Sequence, residues 1–282
     1  MVVPGTKHSL SVLREMPQGF YLDALNLGEV LLPRKYMQPG VELGGEVEVF
    51  LHHDSEDRLV ATTVKPVAVL GQVAGFKVVG IRSGVGAFLD WGLEKDLLLP
   101  LREQTRTPQV EDWVVAMVVM DDVSGRLVAT MRFAKHLNQV EPSYAEGEKV
   151  EVVVAEETEL GYKAVIRHAH WGLLYKNEIL SPLVPGDELD AFIRKIRPDG
   201  KIDLSLDAAG YKRVRPLADQ ILEALKAAGG RLPLDDKTPP EVIREQFQAS
   251  KKAFKQALGA LFRARRIEFV EGGIELPNDL PK

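Results

Sequence analysis

Arg126-Leu127-Val128-Ala129-Thr130 occurs twice in this chain; the same five residues stand at Arg58-Leu59-Val60-Ala61-Thr62. A third segment, Lys201-Ile202-Asp203-Leu204-Ser205, keeps the pattern of a basic residue, an alternating apolar strand and a small hydroxyl. Each follows a turn-like stretch: Asp54-Ser55-Glu56-Asp57, Val123-Ser124-Gly125 and Pro198-Asp199-Gly200. Before each turn lies another short apolar run, at 47–51, 114–119 and 189–193. Alternation with period two is the signature of a half-buried strand. Each repeat therefore closes with a β-hairpin, and self-similarity at a fixed spacing marks a repeated structural unit.

Working back along each unit gives two more correspondences. Gly19-Phe20-Tyr21-Leu22-Asp23 matches Gly86-Ala87-Phe88-Leu89-Asp90, and Gly161-Tyr162-Lys163-Ala164-Val165 is a weaker third copy. The glycines are 67 and 75 residues apart. Next come Val30-Leu31-Leu32-Pro33, Leu97-Leu98-Leu99-Pro100 and Gly172-Leu173-Leu174-Tyr175. Units of this length, with about five strands each, avoid exposed edges by closing on themselves, as an OB-fold does. Residues 1–65, 66–140 and 141–210 are thus expected to form three barrels in tandem.

The pattern changes near 207–212. Leu217, Ile221, Leu222 and Leu225 have helical spacing over 213–228, and Gly229-Gly230 stops that helix. Arg231-Leu232-Pro233-Leu234 reads as a short strand. Pro239-Pro240 opens a second helix, with Thr238 as its N-cap. Ser250 caps a third, reaching to about Arg266, with Phe254, Leu258 and Leu261 as core positions. Two short strands around Gly272-Gly273 complete a hairpin. Three helices and a hairpin describe a winged helix-turn-helix over 211–282. The fold class is mainly β with an α+β C-terminal module.

The chain has 282 residues, 45% hydrophobic and 27% charged, which is globular composition. The absence of cysteine excludes disulfides, thiolate zinc sites and a cysteine nucleophile. Met1-Val2-Val3-Pro4-Gly5 has neither a basic nor an apolar leader, so no secretory signal is read and a cytoplasmic location is expected. No apolar run reaches the length of a membrane helix. The net charge of −5 lacks the basic excess usual for nucleic-acid binding. It is unevenly spread: −3 over 1–65, zero over 66–140, −5 over 141–206 and +3 over 207–282. A polyanion site must be local, with the tail its first candidate.

Gly86-Ala87-Phe88-Leu89-Asp90 resembles the Gly-Ala-Phe-Val-Asp strand of the S1 RNA-binding domain. Gly172-Leu173-Leu174-Tyr175-Lys176-Asn177-Glu178 resembles that family's Gly-Leu-Val-His-Ile-Ser-Glu. Three such units followed by a winged helix look like the conserved virulence factor B (CvfB) family. The resemblance implies a bacterial cytoplasmic RNA-binding protein acting on gene expression after transcription, with no catalytic reaction. In S1 domains the aromatic of the first strand and the His of the second lie on the RNA face. These positions fall on Tyr21, Phe88 and Lys163, and on Pro33, Pro100 and Tyr175.

Single-stranded RNA is held by aromatic platforms and basic side chains along the backbone. The third unit has the richest mixture: Tyr162, Lys163, Arg167, His168, His170, Trp171, Tyr175 and Lys176, with Arg194, Lys195 and Arg197 on the next strand. Residues two apart share a strand face. Lys163 and Arg167 are expected outside, and the set Tyr162, Ala164 and Ile166 inside. Tyr162 is nonetheless carried among the RNA-binding candidates; the alternative is a solvated polar face with Tyr and Trp in the core. Phe88 with Trp91, and Tyr21, are the candidates of the other two barrels. On the third helix Lys251, Lys252, Lys255, Arg263, Arg265 and Arg266 form a run without a carboxylate, as a recognition helix would present to a groove or backbone.

Enzyme signatures are weak. Gly84-x-Gly86 lacks the third glycine of a dinucleotide fingerprint and precedes a strand. His168-x-His170 lacks a third metal ligand, and His52-His53 reads as surface. No cofactor or metal is expected. The expected partner is single-stranded RNA, with ribosomal or RNA-decay proteins as further partners. The rival readings are a DNA-binding regulator working through the winged helix and a protein-binding scaffold.

Overall fold

The computed structural model describes residues 1–37, 39–179, 181–206, 214–270 and 272–277. The stretch read as a linker, 207–212, lies outside them. Two compact units are present, one of residues 1–137 with 185–187, the other of 138–184 with 188 onward.

The first unit begins with β1 (Lys7–Met16), β2 (Gly19–Asp23), β3 (Glu29–Pro33), β4 (Glu46–His53) and β5 (Leu59–Thr62). They close a barrel in the order β1-β2-β3-β5-β4, with β3 and β5 parallel and the other pairs antiparallel. β6 (Val73–Arg82), β7 (Gly86–Leu89), β8 (Leu97–Pro100), β9 (Trp113–Met120) and β10 (Leu127–Thr130) follow. Their order, β10-β9-β6-β7-β8, is the same ring left open between β8 and β10. In the second unit β11 (Lys149–Glu157), β12 (Gly161–Ile166), β13 (His170–Tyr175), β14 (Glu188–Ile196) and β15 (Ile202–Ser205) close again as β11-β12-β13-β15-β14.

The repeats have a geometric cause. The first strand of each unit pairs with the fourth along its first half and with the second along its last half. A register shift at Val12/Arg14, Val78/Gly80 and Val154/Glu156 bends it between the two; such a bulge curls a sheet toward closure. Gly19, Gly86 and Gly161 open the second strand at φ near +150°. A Cβ there would stand 2.0–2.2 Å from the carbonyl oxygen of Leu32, Leu99 or Leu174, so only glycine admits the close approach. The repeated hydroxyl ends the fifth strand: Thr62 and Thr130 accept hydrogen bonds at 3.0 Å from the backbone N–H of Val64 and Arg132.

Alternate residues fill the interiors. Leu22, Leu32 and Leu51 are fully buried in the first barrel, Phe76, Leu89 and Leu97 in the second, Ile166, Leu174 and Ile193 in the third. Each contributes roughly 1.5–3 kcal/mol.

The C-terminal module consists of α1 (Val214–Ala227), β16 (Arg231–Leu232), α2 (Pro240–Phe247), α3 (Lys251–Arg263), β17 (Glu268–Val270) and β18 (Gly273–Glu275). The strands pair as β16-β18-β17, and Leu217, Ile221, Leu225, Ile243, Phe254 and Leu258 share one core. Ser250 caps α3, accepting from the Ala253 N–H at 3.2 Å. Two local expectations are corrected. Thr238 does not cap α2; its hydroxyl accepts from the Asp235 N–H at 2.8 Å. α3 ends at Arg263, because Arg265 turns left-handed at φ 54°, so Arg265 and Arg266 follow the helix. Among the described residues no helix is long and apolar enough to cross a membrane.

Candidate nucleic-acid interface

The outer face of the second and third strands carries equivalent positions in all three units. Tyr21 stands opposite Leu31, Phe88 opposite Leu98 and Lys163 opposite Leu173. The neighbouring pairs are Gly19 with Pro33, Gly86 with Pro100 and Gly161 with Tyr175. The register thus reproduces the residue correspondences read from the sequence.

The three faces differ in what covers them. In the first barrel the Arg14 guanidinium lies 3.9 Å over the Tyr21 ring. It is fixed there by Glu29 at 2.6 Å, and Gln18 donates to the Tyr21 hydroxyl at 3.0 Å. A base reaching Tyr21 must displace Arg14. In the second barrel Phe88 is half-buried between Leu98 and Gly80. Trp91 is a correction. It is 4% exposed, donates from Nε1 to the Ala68 carbonyl at 2.7 Å and meets Phe50 edge-on at 5.5 Å. It is a core residue with no face to offer a base.

In the third barrel β13 alternates cleanly. His170, Gly172 and Leu174 point inward, while Trp171, Leu173 and Tyr175 are half-buried on the outside beside Lys163. The Tyr175 hydroxyl donates to Asp203 Oδ1 at 3.0 Å. Arg197 grips both oxygens of Asp203, at 2.8 and 3.0 Å, and touches the Tyr175 hydroxyl. Burial, with the Asp203 charge beside it, pushes the Tyr175 phenol above its ordinary range. The ring is therefore held in one orientation by its tip, with its hydroxyl protonated.

Two candidates of this barrel move elsewhere. Tyr162, 3% exposed, lies in the core with Ala164 and Ile166, as the alternation of β12 requires. Arg167 stands beyond the end of β12 at φ 44°, followed by His168 at φ 57°. Its guanidinium pairs with Glu148 at 2.7 Å, donates to the Lys149 carbonyl at 3.1 Å and lies 5.5 Å over the Tyr144 ring, so it does not join the Lys163 face. His170 is a buried structural group, with Nδ1 2.7 Å from the Tyr144 hydroxyl and Nε2 2.8 Å from the Val140 carbonyl. His52, read as surface, is also buried and stacks on Phe50 at 6.1 Å. Among the described residues no group of three His, Cys, Asp or Glu stands close enough to hold a metal ion.

Three basic side chains of this barrel are paired: Lys163 with Glu156 at 3.1 Å, Lys176 with Glu157, and Arg194 with Glu178 at 2.5 Å. The first two pairs are exposed and contribute only about 0–1 kcal/mol each, so a phosphate can replace either carboxylate at small cost. Glu178 has a second partner, since Lys252 of α3 reaches the same Oε1 at 2.7 Å. Burial opposes the Glu178 charge, but the hydrogen bonds from Lys252 and Arg194 outweigh it and hold the carboxyl below its usual range. That bridge joins the third barrel to the winged helix within one unit. Further along, Lys251 donates to the Lys237 carbonyl at 3.2 Å and Lys255 to Asp236 at 3.4 Å. Arg263, Arg265 and Arg266 are exposed, and among the described residues no carboxylate pairs with them.

Sequence reasoning missed Leu173 as an outer-face partner of Lys163, and it named Trp171 without placing it. The signal was present in the alternation of 170–175 about Tyr175. The role of Glu178 had no local signal.

Residues 4–64 match the S1 domain, a nucleic-acid-binding domain, and residues 219–276 match the CvfB-like winged helix domain. The Bacillus subtilis protein YitL is 27% identical over 274 residues, covering 94% of this chain and 90% of its own length. Conserved virulence factor B of Staphylococcus aureus strain USA300 is 24% identical over 243 residues, 84% of this chain and 81% of its own. A crystal structure of a multidomain protein with nucleic acid binding domains from Streptococcus pneumoniae is 22% identical; the match covers 97% of this chain and 98% of that one, with a TM-score of 0.44. With barrels in tandem ahead of a CvfB-like winged helix domain, the chain is similar over most of its length to conserved virulence factor B.

Proposed function

We propose that this protein binds single-stranded RNA without catalysis and regulates gene expression after transcription in the bacterial cytoplasm. The third barrel and the winged helix contact one strand together. Trp171 and Tyr175 supply stacking surfaces, and Lys163, Lys176, Arg194, Arg197, Lys251, Lys252 and Lys255 supply phosphate contacts. The observation that supports this reading is the Glu178 bridge, which holds α3 against the third barrel. Two weak modules fixed side by side act at high effective concentration, so their affinities multiply.

The test is Lys252→Glu in the full chain, which sets two carboxylates against each other. RNA affinity should fall well over threefold while the melting temperature of the first two barrels is unchanged. Unaltered affinity would sink the joint surface, and preferential binding of duplex DNA would favour action through the winged helix alone.

A further inference from the structure

We infer that the C-terminal end of α3 and strand β17 form a base-stacking platform for single-stranded RNA, built on Phe262 and Phe269. The inference rests on the RNA-binding reading above and adds a site at the opposite end of α3 from Lys252.

Phe262 and Phe269 are 51% and 43% exposed, and their ring centroids lie 5.3 Å apart at an interplanar angle of 51°. The core of the module closes without them: Phe254, Ala257, Leu258 and Leu261 fill the inner face of α3, and Ile267 and Ile274 are buried beneath the strands. Two phenyl rings are thus held side by side in water by elements that pack through other residues. Arg263, Arg265 and Arg266, all exposed, lie in the segment of chain between the two phenylalanines. Arg263 Nε donates to the Gly259 carbonyl at 3.2 Å. Among the described residues these three have no carboxylate partner, in contrast to Lys163, Lys176, Arg194, Arg197, Lys252 and Lys255. The helix dipole accounts for a cation at the end of α3, but not for the rings. Among the described residues Glu268 is the carboxylate next to Phe269 in sequence, and alternation along β17 puts it on the opposite face.

An apolar protein surface would leave three arginines unsatisfied, and an acidic one would leave the rings uncovered. A single nucleic-acid strand answers both, since each nucleotide offers a π-face and a phosphate.

The experiment is photo-crosslinking of the full chain to oligouridine carrying 4-thiouridine, with the adducts mapped by mass spectrometry. Adducts are expected on Phe262 or Phe269 as well as on the β13 peptide. Adducts on β13 with none on 262–269 would overturn this inference and leave the barrel reading standing. No adduct anywhere would overturn both. In parallel, Phe262→Leu with Phe269→Leu keeps apolar bulk between helix and wing but removes the rings. Affinity for oligouridine should fall about tenfold with the salt slope unchanged, and Phe262→Tyr with Phe269→Tyr should restore it. Wild-type affinity in the leucine variant would overturn the inference.

Discussion

Glu178 and Lys252, 74 positions apart in sequence, meet at 2.7 Å. Glu178 also holds Arg194 at 2.5 Å through the same oxygen, so one carboxylate ties the third barrel to the first turn of α3. Its carboxyl is held below the usual range in the folded state. The contribution is therefore complete above the unfolded carboxyl pKa, about 4.3, and is lost as pH falls below it. Glu178→Gln should lower stability near neutral pH by about 1–2 kcal/mol and flatten this acid limb. Denaturant titrations between pH 7 and 3 check it; a variant with the wild-type pH profile contradicts it.

His52 acts in a higher window. Burial pushes its imidazole pKa down, and the Lys95 charge adds to the effect. The native state holds it neutral, while the unfolded chain protonates near pH 6.5. Stability should therefore fall as pH drops from about 7 towards 5. His52→Phe, which keeps a ring against Phe50, should make that slope shallower, the remainder belonging to His53, whose pKa burial also pushes down. Thermal melts across the range read the difference; a slope unchanged by the substitution would contradict the assignment.

Tyr175 separates stacking from anchoring. Tyr175→Phe keeps the ring and loses the Asp203 and Arg197 contacts, so RNA affinity should stay within about threefold of wild type. Tyr175→Leu removes the ring and should cost about 1–3 kcal/mol, roughly five- to a hundredfold. Equal affinities for the leucine variant and the wild type would remove Tyr175 from the interface.

Tyr21 carries the opposite expectation. With Arg14 already on its ring at 3.9 Å, Tyr21→Leu should change RNA affinity by no more than about twofold, measured by anisotropy under the same conditions. A tenfold loss would show that the first barrel opens to bind.

The glycines test the repeat geometry. Gly86→Ala puts a methyl 2.2 Å from the Leu99 carbonyl oxygen and should destabilise the second barrel by about 3 kcal/mol or more. Gly259, inside α3 with nothing within 4 Å of an added Cβ, should behave inversely. Its alanine variant gains about 0.5–1 kcal/mol of stability. Chemical denaturation of both variants gives the two signs directly.

The barrels were legible because their signals are local. The glycine of the second strand, the alternation that follows and the hydroxyl that ends the fifth strand each sit within a few residues of the contact they make. The helices of the tail announced themselves by spacing in the same way. The interface was less legible, because an aromatic near a strand says nothing about which way the sheet closes. Trp91 follows β7 and turns into the core to reach Ala68, while Trp171, on β13, stays on the outer face. Tyr162 belonged inside by the alternation of its own strand. Arg167 left the Lys163 face because the backbone turns left-handed there. Charge pairing was illegible, since Lys252 and Glu178 are joined only by the tertiary fold.

Binding of single-stranded RNA by the unit that the Glu178 bridge holds together is read by a fluorescence-anisotropy titration of single-stranded RNA with the full chain over a series of salt concentrations. Each phosphate neutralised contributes about −0.7 to the log–log slope. Binding should be near micromolar or tighter, with a slope of about −2 or steeper. A folded protein whose anisotropy stays flat at every salt concentration would contradict it.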